Sequence, residues 1–195
     1  MTELKEENLL PVERYLLHLY KIFQREPEFY RNESLIEGVN NLTAIVYRDF
    51  PTIGYMTAVT YGLSLVDHPE WKFGRNELCI CVESEEINWG IVIGYIANQM
   101  RGKFPFLYGN TIRFGQQISK DSEMDAFLVF APTIFEKDEC MNIDIGLEYT
   151  INWASLFPIY SSEIEIYNQI GIEKFWQHPN FDPYKVNREK ITGEN

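Results

Sequence analysis

The sequence predicts an α+β fold, a mixed α/β single domain in which a central sheet, mostly antiparallel or mixed, is flanked by helices. The chain has 195 residues, of which 45% are hydrophobic and 15% aromatic, enough to bury a sizeable core. The predicted strands and helices show no regular strand–helix–strand alternation, which favours an α+β or mixed sheet. Since no repeat, low-complexity tract or linker divides the chain, we expect one domain over residues 1–195. Its core should span about 11–177, followed by a polar C-terminal tail over 178–195. The end of that tail, from Lys185 to Asn195, should fray.

The first predicted element is a helix over residues 11–25. Pro11 suits the first helical position, where its missing N–H costs nothing, and Pro27 ends the pattern. Apolar residues at helical spacing form a stripe that we expect to be buried, namely Val12, Leu16, Leu19 and Phe23. Basic residues repeat that spacing on the opposite face, which we expect to be solvated, namely Arg14, His18, Lys21 and Arg25.

Three strands are predicted next, over residues 42–48, 56–63 and 77–83. In the third strand, apolar residues such as Leu78 alternate with Cys79 and Cys81, so the two kinds of side chain face opposite sides. Because both sides are apolar, this strand is predicted to be central in the sheet and covered on both faces.

The second half of the chain predicts a helix over 89–100, strands over 111–114 and 125–131, and a one-sided strand over 142–151. The last helix is predicted to begin near Ser162, which with Glu165 matches a capping box. Gly171 is predicted to stop this helix, with a further short turn over 172–177.

The net charge of −12 argues against nucleic acid as a partner, because phosphate binding needs a concentrated positive surface. Residues 121–160 hold eight acidic residues and one basic residue. Two interpretations remain open for this stretch. It is either a solvated face or a docking surface for a cationic partner, with Asp138, Glu139 and Asp144 as candidate contacts.

No motif for a metal, a nucleotide phosphate or an activated nucleophile is present, so no cofactor is expected. One alternative is a hydrolase using Ser64, with His68 nearby in sequence, or Cys81. Another is a structural domain that forms homodimers, since the sequence leaves the oligomeric state open.

No segment approaches the roughly 20 apolar residues that span a bilayer. Residues 1–8 also lack a secretion signal, so a cytoplasmic protein is expected.

The loop 101–110 is rich in aromatic residues beside basic ones, the composition that protein interfaces favour. Its candidate contact residues are Arg101, Phe104, Phe106 and Tyr108. The alternative is that these rings plug the core beneath the loop.

Short motifs in the expected order resemble the suppressor of fused family over roughly residues 40–177. The first is Met56-Thr-Ala-Val-Thr-Tyr-Gly-Leu-Ser64 and the second is Phe157-Pro-Ile-Tyr-Ser-Ser-Glu163, followed by Gly171 and Phe175. The family signature therefore comprises Thr60, Tyr61, Gly62, Leu63, Ser64, Pro158, Tyr160, Glu163 and Gly171. Structural roles are predicted for these residues: Gly62 for close packing, Tyr61 for a buried ring with a bonded hydroxyl, Pro158 for the entry into the last helix, and Glu163 for its first turn.

The resemblance implies a protein-binding module without enzymatic activity. Animal members regulate Hedgehog signalling by sequestering a transcription factor and have a second, C-terminal domain. The present chain is too short to include that domain, so transcription-factor binding is not expected of it. Stand-alone bacterial relatives are associated with polymorphic toxin systems, where they resemble immunity proteins. The partner that the resemblance implies is therefore a protein, such as a basic toxin domain.

Overall fold

A computed structural model describes residues 9–193, which form one seven-stranded sheet and four helices. Residues 1–8, on which the expectation of no secretion signal rested, lie outside the described part. The elements in chain order are α1 (Pro11–Phe23), β1 (Glu28–Asn32), β2 (Leu42–Arg48), β3 (Met56–Tyr61), β4 (Arg75–Val82), α2 (Asn88–Met100), β5 (Thr111–Arg113), β6 (Ala126–Phe130), α3 (Lys137–Cys140), β7 (Ile151–Ile159) and α4 (Glu163–Trp176).

The strands lie in the order β1-β2-β3-β4-β7-β6-β5. Only β4 and β7 run parallel, and every other neighbouring pair is antiparallel. The predicted α+β fold with a mixed, mostly antiparallel sheet is therefore confirmed. The prediction that β4 is central is also confirmed, because it is the fourth of seven strands and its Leu78 and Cys79 are buried in different apolar clusters.

Helices cover both faces of the sheet. Ala154 and Leu156 of β7 pack in the cluster that includes α2, whereas Trp153 and Phe157 point to the other face. On that other face, Trp153 donates a hydrogen bond to the Tyr15 hydroxyl of α1 at 2.9 Å, and the Phe157 ring lies 5.0 Å from the Trp176 ring of α4. The domain therefore has three layers: α2 covers one face of the sheet, the sheet forms the middle layer, and α1 and α4 cover the other face.

The predicted strand over 142–151 is wrong. Residues 142–150 are irregular and contribute a single bridge, between Ile143 and Ile151, and the strand is β7 immediately after them. All nine residues of β7 are buried, so no alternation marked it in the sequence. Pro158 lies inside this strand and does not form the entry into α4. It is tolerated because it lies beyond Ser155, where the pairing with β4 ends.

The C-terminal part of the chain departs from expectation in two further ways. The predicted capping box is absent, because the N-cap residue Ser162 makes no side-chain hydrogen bond to the helix. The expected fraying from Lys185 onward is also wrong for the described part of that segment, where Val186 and Ile191 are buried. The predicted interruption at Gly171 is confirmed, since its φ of 79° breaks the helical backbone inside α4.

Candidate functional site

The first half of the family signature closes around one buried carboxylate, that of Glu77 in β4. Its Oε1 accepts hydrogen bonds from the Gly62 N–H (2.8 Å), the Ser64 N–H (3.0 Å) and the Ser64 hydroxyl (2.7 Å). Its Oε2 accepts from the Thr60 hydroxyl (2.6 Å) and the Leu63 N–H (3.2 Å). Five donors therefore converge on a side chain with 0% exposure. We call Glu77 and its donor residues 60–64 the carboxylate cradle.

The turn of the cradle requires glycine at position 62. Its φ is 123°, and an added Cβ would lie 3.0 Å from the Asn41 carbonyl oxygen, so the predicted close packing is confirmed. The Arg101 guanidinium donates to the Gly62 carbonyl at 3.1 Å, so the N–H and the carbonyl of Gly62 are both hydrogen-bonded. Tyr61 is half-buried against the Tyr15 ring at 5.3 Å.

The electrostatics of the cradle combine desolvation with strong hydrogen bonding. Burial raises the pKa of Glu77, and the hydrogen bonds from Thr60, Ser64 and Gly62 oppose that rise. Burial likewise lowers the pKa of Arg101, which the nearby Glu77 charge opposes. Since all five contacts are donors, the cradle is built to hold the ionised carboxylate.

The second half of the signature holds the C-terminal segment. The Glu163 carboxylate pairs with both terminal nitrogens of Arg188 at 2.7 Å each and accepts the Ile191 N–H at 2.7 Å. It also accepts the Tyr160 N–H at 3.1 Å, while the Tyr160 hydroxyl donates to the Arg188 carbonyl at 2.8 Å. Glu163 does lie in the first turn of α4, but its contacts make it the anchor of residues 188–191.

The two predicted interaction surfaces differ in how far their residues are exposed. In the aromatic loop, Arg101 and Phe106 are 1% and 0% exposed, so they cannot contact a partner and belong to the core. Phe104 is half-buried with its ring 5.0 Å from Phe106. Tyr108 is 45% exposed, and its ring lies 5.6 Å from Phe130.

The acidic residues 136–148, which we call the acidic loop, form α3 and the irregular segment before β7. Asp138 is exposed. Glu139 is half-buried, and its carboxylate accepts the Glu136 N–H at 2.8 Å, which caps α3. Asp144 is exposed and lines a cavity together with Arg14, His18 and Lys21 of α1.

A groove that sequence reasoning missed lies beside the acidic loop. Trp71, Phe73, Asn76 and Leu107 line it, with Glu70, Lys72 and Gly74, and its volume is about 310 Å³. We call it the apolar groove. The only sequence signal was the pair of aromatic residues, Trp71 and Phe73, in a segment otherwise predicted as a polar loop.

The nucleophiles of the hydrolase alternative are not available in this structure. Ser64 is buried and its hydroxyl donates to Glu77 at 2.7 Å, while the His68 Nδ1 accepts the Glu70 N–H. Cys81 is buried, and burial raises its pKa to about 11. Within residues 9–193 no three metal-ligating side chains cluster, and no helix there is long and apolar enough to cross a bilayer.

The fold and these residues define an α+β domain in which the signature residues are mostly buried and stabilise the structure. A profile of the suppressor of fused protein (SUFU) family matches residues 38–189, and the chain belongs to this family. No curated protein matches the sequence significantly.

Solved structures of similar fold agree with this assignment. A SUFU homolog from Neisseria gonorrhoeae is 17% identical with a TM-score of 0.67, over 94% of this chain and 97% of that one. A chain of a Sufu–Fu complex is 13% identical with a TM-score of 0.65, over 92% and 91%. Drosophila Suppressor of Fused is 14% identical with a TM-score of 0.62, and this chain covers 92% of its own length and 50% of the fly protein.

Proposed function

We propose that residues 1–195 form one non-enzymatic protein-binding domain. The observation that carries this proposal is the shared fold, over 92% of the chain, with a protein solved in the Sufu–Fu complex. The signature residues support it, because Thr60, Ser64 and Glu163 all make buried contacts that stabilise the fold and leave no reactive group among them.

The partner that the charge favours is a basic protein, such as the toxin domain that an immunity-type protein neutralises. The chain carries a net charge of −12, and complementary charge speeds association and selects the partner. Asp138 and Asp144 are exposed in the acidic loop, and Tyr108 is exposed nearby on the same domain. Of the seven predicted contact residues these three are exposed, whereas Glu139 and Phe104 are half-buried.

The test is a pull-down from native lysate at about 0.05 M and 0.5 M salt, since screening weakens exposed charge pairs. A basic partner that is bound at low salt and released at high salt is expected. Asp138→Lys should release it at low salt, whereas Glu173→Lys, an exposed change on α4, should not. If no protein binds at either salt concentration, or if only acidic proteins bind, the proposal fails.

A further inference from the structure

Two loops form the apolar groove, and hydrogen bonds hold them together. The Trp71 Nε1–H donates to the Pro105 carbonyl at 2.6 Å. The Asn76 amide donates to the Pro105 and Phe106 carbonyls at 3.1 and 3.2 Å. The Leu107 N–H is in turn held by the Asn110 side chain at 2.9 Å. A site fixed in this way loses little conformational entropy when it binds a ligand.

The groove nevertheless leaves large apolar side chains in water. Phe73 is 87% exposed and Leu107 is 36% exposed. Phe73 is fixed by its backbone, because its carbonyl accepts a hydrogen bond from the Asn152 side chain. An exposed aromatic side chain on a rigid loop is costly to solvate and is typical of an interface centre.

The basic side chains around the groove have partners within the chain, whereas two nearby carboxylates form no ion pair. The Lys72 ammonium donates to the Pro69 carbonyl at 2.8 Å, and the Arg75 guanidinium stacks on the Tyr149 ring at 4.0 Å. By contrast, the exposed carboxylates of Glu70 and Glu148 form no ion pair with any residue in the range 9–193. The Lys72 ammonium keeps its positive charge as well, and Arg75 is paired with Asp67 at 3.4 Å, so the two unpaired carboxylates exceed the one unpaired ammonium and the local charge is negative.

The groove is continuous with the acidic loop. The Asn152 side chain that donates to the Phe73 carbonyl also accepts the Asn142 N–H, at 2.8 Å. The Thr150 carbonyl, two residues beyond Glu148, accepts the Arg75 N–H at 2.8 Å. One surface therefore combines an apolar groove with unpaired acids.

We propose that the apolar groove binds an extended segment of a partner protein, in which an apolar side chain is flanked by lysine or arginine. The apolar side chain enters between Phe73 and Leu107, and its basic neighbours face Glu70 and Glu148. This inference rests on the proposed function and names the binding face and the chemistry of the partner.

The probe is a phage-displayed library of peptides of about twelve residues, long enough to lie along one groove. The library is selected on the wild-type domain alone, and the affinities of the selected peptides are then measured on wild type and on the Phe73→Ser/Leu107→Ser variant. Both replaced side chains are exposed, so the variant should fold, which circular dichroism checks. Ile53→Ser is the matched control, because Ile53 is 85% exposed and lies outside the groove.

Selected peptides should be enriched in lysine and arginine around one aromatic or aliphatic residue. They should bind the groove variant about tenfold more weakly or worse, which is roughly 1.4 kcal/mol, and bind Ile53→Ser as well as wild type. Glu70→Lys/Glu148→Lys should weaken them at low salt and less at high salt.

Three results would overturn the inference: no enrichment, enrichment of acidic or uncharged peptides, or equal affinity for the groove variant. Sedimentation that shows a dimer lost in the groove variant would instead assign the groove to a second copy of the chain. If the lysate partner of the proposed function still binds the groove variant, protein binding stands and only its location is wrong.

Discussion

Replacing Glu77 with glutamine removes the charge from the carboxylate cradle while keeping its shape. The carboxylate accepts five hydrogen bonds, three at Oε1 and two at Oε2. In the best orientation of glutamine, its single oxygen keeps the three donors from Gly62 and Ser64. Its NH₂ group then faces the Thr60 hydroxyl and the Leu63 N–H.

The cost follows from those contacts. The Thr60 hydroxyl can rotate to accept from the new amide, but the Leu63 N–H becomes a buried donor without a partner, at about 1–3 kcal/mol. The three retained bonds change from charged to neutral acceptors and weaken by several tenths of a kcal/mol each, on the order of 1–2 kcal/mol together. The lower desolvation cost of a neutral side chain offsets part of this loss. We expect a net loss of about 3 kcal/mol in the free energy of unfolding.

Urea unfolding followed by tryptophan fluorescence measures this loss. With a slope of about 2 kcal/mol per molar urea, the midpoint should fall by about 1.5 M. Glu173→Gln, an exposed change of the same chemistry on α4, should shift the free energy by less than about 0.5 kcal/mol. A loss below about 1 kcal/mol for Glu77→Gln would refute the reasoning, because it would show that the cradle holds a protonated, uncharged carboxyl.

Three further predictions concern the second carboxylate, a histidine and the thiols. Arg188→Met should cost about 3–5 kcal/mol, because it leaves the Glu163 carboxylate buried and unpaired. Hydrogen exchange over residues 179–192 should quicken, and unchanged exchange would contradict the anchoring role. Burial lowers the pKa of His18, so its folded pKa lies below the unfolded value of about 6.5 and stability should fall as pH drops through that value. His18→Asn should reduce this slope, and an unaltered slope would show that His18 is not its source. The cysteines Cys79, Cys81 and Cys140 are buried and free, so Ellman's reagent should react with them only after urea unfolding, and a thiol reacting rapidly in the native protein would count against that burial.

The sequence was most informative where periodicity and burial agree. The strand β2 was predicted with its observed bounds, and β4 was predicted as central because both of its faces are apolar. The strand β7 could not be predicted in this way. It is buried throughout, yet it contains Asn152, Ser155 and Pro158, so its sequence shows neither alternation nor a clear apolar run. The alternating pattern at 142–151 predicts a strand, and Ile143 and Ile145 are indeed buried, but they are buried from a loop.

The site was predictable only in part, because its main contacts join distant parts of the chain. Residues 60–64 were identified, but their partner Glu77 is 13 residues beyond Ser64 and was placed in the sequence only as the start of a strand. The loop 101–110 leaves an interface and a core role open, with Arg101 as a candidate contact, whereas the Arg101 guanidinium donates to the Gly62 and Asn40 carbonyls inside the fold. Local patterns carry no signal for such pairings.

The position of the signature inside the fold determines where a binding face can be sought. Thr60, Ser64 and Glu163 make the chain recognisable as a SUFU domain, and each is buried and hydrogen-bonded to another part of the same chain. These side chains cannot select a partner, because no partner reaches them. If the proposed function holds, partner choice depends on exposed residues outside the signature, of which Phe73 in the apolar groove is 87% exposed. A domain of this kind can keep its buried carboxylates and change partner through its surface loops alone.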